Sequence, residues 1–380
     1  MPRLPLPSTQ ALLQSERLVR TILEEIAASG GWISFARYME LALYSPGLGY
    51  YSAGAEKFGA AGDFVTAPEI SPVFTQCLAR QVSQVLSITS GEILELGAGT
   101  GKLVCDLLQA LDAQNMTPEH YFILEVSGEL QSRQQALIST LPEKLAQRVK
   151  WLDKLPQHFA GMILANEVFD ALPVHVVAWR RQGIYERGVA FVDGKFSWKE
   201  RLLDKGELFD VASSLHLPVD YLSEIHLTAC ALVRSLATML DQGVILVIDY
   251  GFGASEYYHP QRNWGTLMCH HRQQAHDDPF YLPGLQDITA HVNFSALLES
   301  AGDLRLLGYT TQAQFLVNCG IAEILSKTAP DDALYLPLAS AAQKLLSPAE
   351  MGELFKVLAL GNNVSQQLIG FRSGDKSRLL

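Results

Sequence analysis

The sequence predicts an α/β protein with a mostly parallel sheet, an N-terminal helical segment and a β-rich insertion. From residue 91 onward, short apolar runs alternate with helical stretches, which is typical of parallel βαβ units covered on both faces. Between residues 174 and 222, stretches of strand composition follow one another through tight glycine-containing turns, which predicts antiparallel pairing. The 380 residues are 48% hydrophobic, and no apolar run approaches the ~18 residues of a membrane span.

The individual elements follow from apolar periodicity. Helices are predicted over 9–29 and 34–43, where apolar residues recur near a 3.6-residue period. Another helix is predicted over 67–86, because Thr66 and Glu69 have the spacing of a capping box. The remaining strands are predicted at 92–96, 121–126, 148–152, 161–166, 244–250, 303–309 and 355–360. The remaining helices are predicted at 102–111, through the 130s, at 223–240 and at 293–300.

The net charge and the cysteine content disfavour several classes of partner and site. Lysine and arginine number 29 against 40 aspartates and glutamates, so the formal net charge of −11 disfavours nucleic acid as a partner. Five scattered cysteines without a C-x-x-C pair predict buried thiols in a reducing compartment, without disulfides or a zinc site. The stretch around Cys269, His270 and His271, with His276 and Asp277, lacks metal-ligand spacing and is interpreted as loop residues.

The N-terminus favours the cytoplasm, because it lacks the apolar core of a secretory signal. Arg3, Arg17 and Arg20 occur there with few acids. They leave a short transit peptide, and with it the mitochondrial matrix, as the alternative location.

A glycine-rich turn lies between the first strand of the alternating region and its helix. Gly97, Gly99 and Gly101 would let the backbone turn tightly and let a ligand approach without a Cβ in the way. The dinucleotide fingerprint would need its third glycine where Lys102 stands. Glu95, at the strand end, would repel a pyrophosphate but suits an ammonium group such as that of S-adenosylmethionine. The alternative is a turn that only requires positive φ.

Glu125 ends the second strand of this region, 24 residues after Gly101. This is close to the offset of about 20 residues at which an acid reaches a ribose in such folds. A carboxylate that accepts both ribose hydroxyls is a specific contact. The alternative is an acid at the sheet edge that faces water.

A polar segment follows the fourth strand, where ligands bind in open α/β sheets. Asn166, Glu167 and Asp170 are its polar members, and two acids with an amide could orient a basic acceptor. The alternative is a local turn in which Asn166 and Asp170 bond nearby backbone.

Six segments in this order carry a family resemblance: FARYMELALYSPGLGYYS, KFGAAGDFVTAPEIS, LELGAGTG, NEVFDALPVH, VIDYG and YLPGLQDITAHVNF. Together they resemble the MidA-like family of class I S-adenosylmethionine-dependent methyltransferases, from about Ser34 to Phe294. The resemblance implies a Rossmann-like sheet of seven strands with the last antiparallel, an N-terminal extension and an insertion after the fourth strand. It also implies that a mitochondrial relative methylates an arginine of a complex I subunit.

Carried over to this chain, the resemblance places Gly97, Gly99 and Gly101 against S-adenosylmethionine and Glu125 on its ribose. It places Asp63, in the block thought to close over the cofactor, at the site. For Glu69, in the same block, we favour the helix cap.

The resemblance also matches Asn166, Glu167 and Asp170 to the family's strand-end motif, and these are the candidate catalytic residues. The role of Asn166 stays open, because the first position of the motif varies among relatives.

The hypothesis is therefore a protein-arginine N-methyltransferase that acts on a respiratory-complex-type protein with an exposed arginine. DNA, RNA and a membrane span are not expected, and a homodimer stays open. The alternatives are a small-molecule or RNA methyltransferase, an NAD-dependent oxidoreductase, and a non-catalytic S-adenosylmethionine-binding assembly protein. The predicted organisation is an N-terminal segment (1–88), a methyltransferase core (89–173 and 223–360), an insertion (174–222) and a tail (361–380).

Overall fold

The structure is a computed structural model that describes residues 7–53, 66–89, 91–329 and 331–380. The chain separates into two compact units, each assembled from three segments. The smaller unit comprises Met1–Phe64, Asp170–Ala231 and Gly253–Asn293, and the larger comprises Val65–Phe169, Leu232–Phe252 and Phe294–Leu380. The sequence predicts segment boundaries at residues 88, 173, 222 and 360, and these boundaries stay a prediction.

The larger unit contributes seven strands to one sheet. In chain order they are β1 (Glu92–Leu96), β2 (Tyr121–Leu124), β3 (Val149–Leu152), β4 (Phe159–Asn166), β5 (Leu240–Phe252), β6 (Arg305–Thr311) and β7 (Phe355–Asn362). Their spatial order is β6-β7-β5-β4-β1-β2-β3. β7 runs antiparallel to both of its neighbours, β5 and β6, whereas β1 to β5 pair with one another in parallel. The predicted seven-stranded sheet with an antiparallel last strand is confirmed.

Helices pack their apolar faces on this sheet. Ile93 on β1 and Leu246 on β5 belong to one core cluster with Phe74 and Leu108, which come from two of these helices. The helices are Ala67–Ile70, Pro72–Leu86, Lys102–Asp112, Gly128–Ile138, Glu143–Ala146, Leu227–Met239 (which begins in the smaller unit), Phe294–Glu299, Gln312–Asn318, Ile321–Leu325 and Tyr335–Leu346, with 3-10 turns at Ile369–Phe371 and Ser377–Leu379.

Two predicted helices differ from the structure. The helix predicted over 67–86 is broken at Ser71, which is extended and caps the second helix by accepting the N–H of Val73 at 3.2 Å. Pro72 then occupies the first helical position, where its missing N–H costs nothing. The helix predicted over 223–240 begins later, because Tyr221–Ile225 is a strand.

The smaller unit contains two antiparallel sheets. The five-stranded one confirms the predicted antiparallel insertion. Its strands are Ile33–Ser34, His175–Arg180, Gly183–Val192, Lys195–Leu202 and Tyr221–Ile225. The strands of the three-stranded sheet are Met268–His271, Gln274–His276 and Asp287–Thr289. The other elements of this unit are the helices Thr9–Ala28, Phe35–Tyr44, Glu207–Ser214 and Ala254–Tyr257, the 3-10 turn Pro260–Arg262 and the short strand Val292–Asn293.

The N-terminal helices share a core with the antiparallel strands. Leu18 and Ile22 of the first helix and Phe35 of the second are fully buried together with Val189. The ring of Phe35 lies 4.9 Å from that of Trp198. Within the described ranges, no helix combines the length and apolarity that crossing a membrane would need.

Three neighbouring strands of the larger unit approach so closely that two glycines are required. Gly243 on β5 is in register with Gly161 on β4, which is in register with Glu92 on β1. A methyl group at Gly243 would lie 1.9 Å from the carbonyl oxygen of Gly161, and both glycines have φ of +139°.

We therefore expect Gly243→Ala to lower the free energy of unfolding by at least about 2 kcal/mol, because the new methyl group overlaps backbone that cannot move aside. Denaturant unfolding followed by far-UV circular dichroism measures this. Gly128→Ala is the matched control, since a Cβ there has open space. Equal losses in the two variants would contradict the packing argument.

Candidate active site

The glycine turn lies at the carboxyl end of β1 and is held in a conformation that suits glycine. Gly97, Gly99 and Gly101 have φ of 60°, 53° and 85°. Gly101 is also the N-cap of the helix Lys102–Asp112. A Cβ at Gly97 would lie 3.3 Å from a methyl group of Val168, so the turn has little spare room. The helix therefore starts directly at this strand end. Its first N–H groups have no partner within the helix, and such groups are available to bind a ligand.

Glu69, on the helix Ala67–Ile70, contacts this turn. The Thr100 hydroxyl donates to Oε1 of Glu69 at 2.5 Å. Thr66 makes no side-chain capping bond, so the capping-box interpretation of Thr66 and Glu69 is wrong. The carboxylate is engaged by a residue that lies 31 positions further along the chain instead.

Glu125 is oriented by two donors. Its Oε1 accepts the N–H of Ser127 at 2.9 Å, and its Oε2 accepts Nε2 of Gln134 at 3.0 Å. Burial raises the pKa of Glu125, while these bonds counteract the shift. Val126, directly after it, is 80% exposed although it is apolar. Sequence reasoning missed Val126, and its position after the candidate ribose acid is the signal that could have found it.

Gln134 joins this acid to the glycine turn. Its Nε2 also donates to the carbonyl oxygen of Gly99 at 3.0 Å, and its Oε1 accepts Nε1 of Trp151 at 2.9 Å. The side chain is fully buried. Sequence reasoning missed Gln134, because a glutamine in a polar helix carries no distinguishing local signal.

Glu95 is 3% exposed and lies against β2. The Tyr121 hydroxyl donates to its Oε2 at 2.6 Å. Burial raises the pKa of Glu95 to about 7; the bond from Tyr121 lowers it, and the charge of Glu125 raises it. Its contact with an ammonium group stays a prediction.

The end of β4 presents an amide and an acid. Glu167 has a φ of 55°, and its Oε1 accepts the N–H of Ala67 at 3.0 Å and Nδ2 of Asn166 at 3.1 Å. The Oδ1 of Asn166 is buried and has no hydrogen-bond partner in the part of the chain that the structure describes. A buried acceptor of this kind is costly unless a ligand supplies a donor.

Asp249, at the end of β5, holds the segment that follows Glu167. Its Oδ2 accepts the N–H groups of Val168 at 3.2 Å and Phe169 at 2.9 Å, and its Oδ1 accepts that of Tyr250 at 2.9 Å. Asp249 is fully buried. Sequence reasoning assigned it no role, although an acid at the end of an apolar strand in VIDYG was the available signal.

The structure brings most predicted residues of the larger unit to the carboxyl ends of β1, β2 and β4. Asp170 belongs to the smaller unit, where it is 6% exposed and its carbonyl oxygen accepts the N–H of Ala290 at 3.0 Å. Asp63 lies outside the described residues, so its placement stays a prediction.

The cysteine and histidine predictions concern other parts of the chain. All five cysteines are buried, as predicted. His270 and His271 lie on the strand Met268–His271, not in a loop, and Nδ1 of His271 is 2.7 Å from the carbonyl oxygen of Leu285. Within the described ranges, no group of three or more His, Cys, Asp or Glu residues could hold a metal ion.

Comparison with known proteins defines the class. The chain belongs to a family of S-adenosyl-L-methionine-dependent methyltransferases, whose sequence profile matches residues 77–310. S-adenosylmethionine is therefore its cofactor, and the hypothesis of an NAD-dependent oxidoreductase is wrong.

Particular relatives are similar along nearly the whole chain. "Protein arginine methyltransferase NDUFAF7, mitochondrial" of Danio rerio is 29% identical over 405 residues, which cover 93% of this chain and 90% of that protein. The Homo sapiens protein of the same name is 29% identical over 382 residues and covers 90% and 83%. These names give the predicted cytoplasmic location no support and are in keeping with the mitochondrial alternative.

Solved structures agree with this assignment. A protein of Burkholderia thailandensis bound to S-adenosyl-homocysteine is 49% identical, with a TM-score of 0.96 and full coverage of both chains. A native crystal structure of a protein from the same organism is 48% identical, with a TM-score of 0.92. The predicted class I methyltransferase fold is confirmed.

The residues at the strand ends fit the cofactor. The glycine turn offers backbone without Cβ atoms, Glu125 is an oriented acceptor, and Asn166 has a buried oxygen that lacks a donor among the described residues. The exposed apolar Val126 offers a surface for a planar base.

We expect Glu125→Ala to weaken S-adenosylmethionine binding about ten- to a hundredfold, the cost of losing a hydrogen bond to a charged group, about 1.5–3 kcal/mol. Isothermal titration calorimetry measures the dissociation constant. Glu129→Ala is the control, because Glu129 pairs with Arg133 at 2.6 Å on the neighbouring helix turn. Unchanged affinity in the Glu125 variant would rule out the ribose contact.

We expect Glu95→Gln to remove a pH-dependent destabilisation. The pKa of Glu95 rises on folding from 4.5 to about 7, so the folded state holds the proton more tightly and loses stability as pH rises through this window. Between pH 5 and pH 8 the wild type should lose about 2–3 kcal/mol relative to the variant. Denaturant unfolding at both pH values measures this, with the exposed Glu119→Gln as control. A parallel response of wild type and variant would contradict it.

Proposed function

We propose that this methyltransferase methylates an arginine side chain of a protein substrate, one of respiratory-complex type. The observation that carries the proposal is an oriented carboxylate, Glu167, at the carboxyl end of β4, where ligands of open α/β sheets bind. Similarity over 93% of the chain to a relative named protein arginine methyltransferase supports arginine as the acceptor.

The chemistry of arginine requires such a carboxylate. A guanidinium stays protonated at neutral pH and presents five N–H donors in a planar fork. When bound, S-adenosylmethionine supplies a methyl group on a positively charged sulfur. Glu167 would accept N–H bonds of the guanidinium, fix one nitrogen in line with that methyl group, and take up the proton that this nitrogen loses.

The residues that would bind the cofactor lie at the same edge of the sheet. The turn of Gly97, Gly99 and Gly101 would hold the methionine part, and Glu125 would bind the ribose hydroxyls. Val126 would cover the base. Asn166 would accept a hydrogen bond from the bound cofactor or acceptor through its buried oxygen.

Three further predicted site residues complete the proposal. Glu95 would act on the cofactor's ammonium group through its negative charge. Asp63 would help to cover the cofactor. Asp170 would be a further catalytic acid, as its place in the strand-end motif implies.

The test is transfer of labelled methyl groups from S-adenosylmethionine into an extract that lacks this protein, followed by acid hydrolysis. Label should appear as methylarginine in a protein band. Label in small molecules or RNA would contradict the proposal, and S-adenosylmethionine binding without any transfer would favour a non-catalytic binding protein.

In that assay, Glu167→Gln should lower the turnover rate at least about a hundredfold, since it removes the group that takes the proton. Its affinity for S-adenosylmethionine, measured by calorimetry, should stay within about threefold, because the amide keeps its size and acceptor oxygen. Glu143→Gln, at an exposed position on a short helix, is the control. Wild-type turnover in the Glu167 variant would remove it from the mechanism.

A further inference from the structure

Glu69 is a carboxylate at the cofactor-binding edge to which no step above assigns a role. It lies on the helix Ala67–Ile70 of the larger unit and is half-buried. The Thr100 hydroxyl, in the glycine turn, donates to its Oε1 at 2.5 Å. The same hydroxyl oxygen accepts the N–H of Lys102 at 3.3 Å. One threonine therefore fixes Glu69 at the start of the helix that follows the turn.

The helix Ala67–Ile70 is anchored at two neighbouring strand ends. Its Glu69 meets the turn after β1, and its Ala67 N–H donates to Oε1 of Glu167, after β4, at 3.0 Å. β1 and β4 are neighbours in the sheet. Glu69 therefore lies beside the carboxyl ends of two adjacent strands, where ligands of open α/β sheets bind.

The negative charge of Glu69 is not matched by a cation of the protein. Glu69 makes no ion pair with any residue that the structure describes, and its Oε2 accepts no hydrogen bond from these residues. Lys102, which follows the turn, pairs with Asp106 at 2.5 Å on its own helix. A carboxylate with one oxygen oriented by a hydroxyl and the other open suits a cationic ligand with N–H donors.

Glu95, for which the sequence predicts contact with an ammonium group, is placed differently. It is 3% exposed, and its Oε2 accepts the Tyr121 hydroxyl at 2.6 Å. Burial also raises its pKa to about 7, so near neutral pH this carboxyl group is negative only part of the time. Direct contact with an ammonium group requires an accessible carboxylate, and Glu69 is the more accessible of the two.

We propose that Oε2 of Glu69 binds the ammonium group of the cofactor's methionine part, while Thr100 holds Oε1. S-adenosylmethionine and S-adenosyl-homocysteine both carry this group on the amino-acid end that the glycine turn would hold. A charge-assisted hydrogen bond is about twice as strong as a neutral one, so Glu69 selects ligands that retain the amino-acid end. The inference concerns the cofactor and does not depend on which acceptor is methylated.

The experiment measures dissociation constants of the full chain by isothermal titration calorimetry with three ligands. They are S-adenosyl-homocysteine, its analogue with hydrogen in place of the amino group, and 5′-methylthioadenosine, which lacks the whole amino-acid end. The wild type should bind S-adenosyl-homocysteine at least about tenfold more tightly than the deaminated analogue. In Glu69→Gln this preference should fall to about threefold or less, because the amide carries no charge.

Two comparisons separate the ammonium contact from a general effect on the site. Glu69→Gln should bind 5′-methylthioadenosine within about twofold of the wild type, which also shows that the turn and the ribose site remain formed. Glu92→Gln is the matched control, because Glu92 is half-buried at the other end of β1, where it pairs with His120 at 3.1 Å. It should keep the wild-type preference. Glu125→Ala should weaken all three ligands, since each carries the ribose.

An unchanged preference for the amino group in Glu69→Gln overturns the inference, as does a wild type without that preference. Equal losses for S-adenosyl-homocysteine and 5′-methylthioadenosine also overturn it, since Glu69 would then only support the turn. Loss of the preference in Glu95→Gln, with its retention in Glu69→Gln, would assign the contact to Glu95. The proposed function is judged separately, by methylarginine in the labelling assay.

Discussion

The buried carboxylate of Asp249 is the constraint on which the candidate active site depends. It accepts three backbone N–H groups, two of them from the residues that follow Glu167. Glu167 itself adopts a φ of 55°, a conformation that costs a non-glycine residue about 1–3 kcal/mol. Charge-assisted bonds from the next two residues offset that cost. Asp249 thereby keeps the backbone of Glu167 in the conformation from which its side chain reaches the N–H of Ala67.

A second polar network organises the cofactor side of the same sheet edge. Gln134 contacts Glu125, Gly99 and Trp151 through one side chain, so the acid, the glycine turn and β3 are oriented together. Burying a carboxylate is unfavourable unless donors meet it, and Glu125 receives two donors from the protein itself. Such preorganisation lowers the cost of ordering the site when the cofactor binds.

The fold could be predicted from the sequence because its signals are local. Apolar runs of strand length and the glycine turn after β1 depend on neighbouring residues alone. Glu69 shows where this approach fails: its spacing from Thr66 matches a capping box, but a distant hydroxyl, that of Thr100, binds the carboxylate instead. The same reason applies to Gln134 and Asp249, since Gln134 bonds to Gly99 across 35 positions and Asp249 bonds to Val168 and Phe169 across 81 and 80 positions. The sequence predicts a helix from residue 223, but pairing with His175–Arg180 makes Tyr221–Ile225 a strand.

The two acids of the strand-end motif, Glu167 and Asp170, lie in different units. The boundary between them falls between Phe169 and Asp170, so the motif's glutamate and its aspartate belong to different compact units. The bonds that orient Glu167 come from Ala67 and Asn166 of the larger unit, which also carries the glycine turn and Glu125. Asp170 is fixed through Ala290 in the smaller unit, next to a strand that supplies Asp287. Glu167 and Asp170 are therefore oriented by different sets of bonds, each within its own unit.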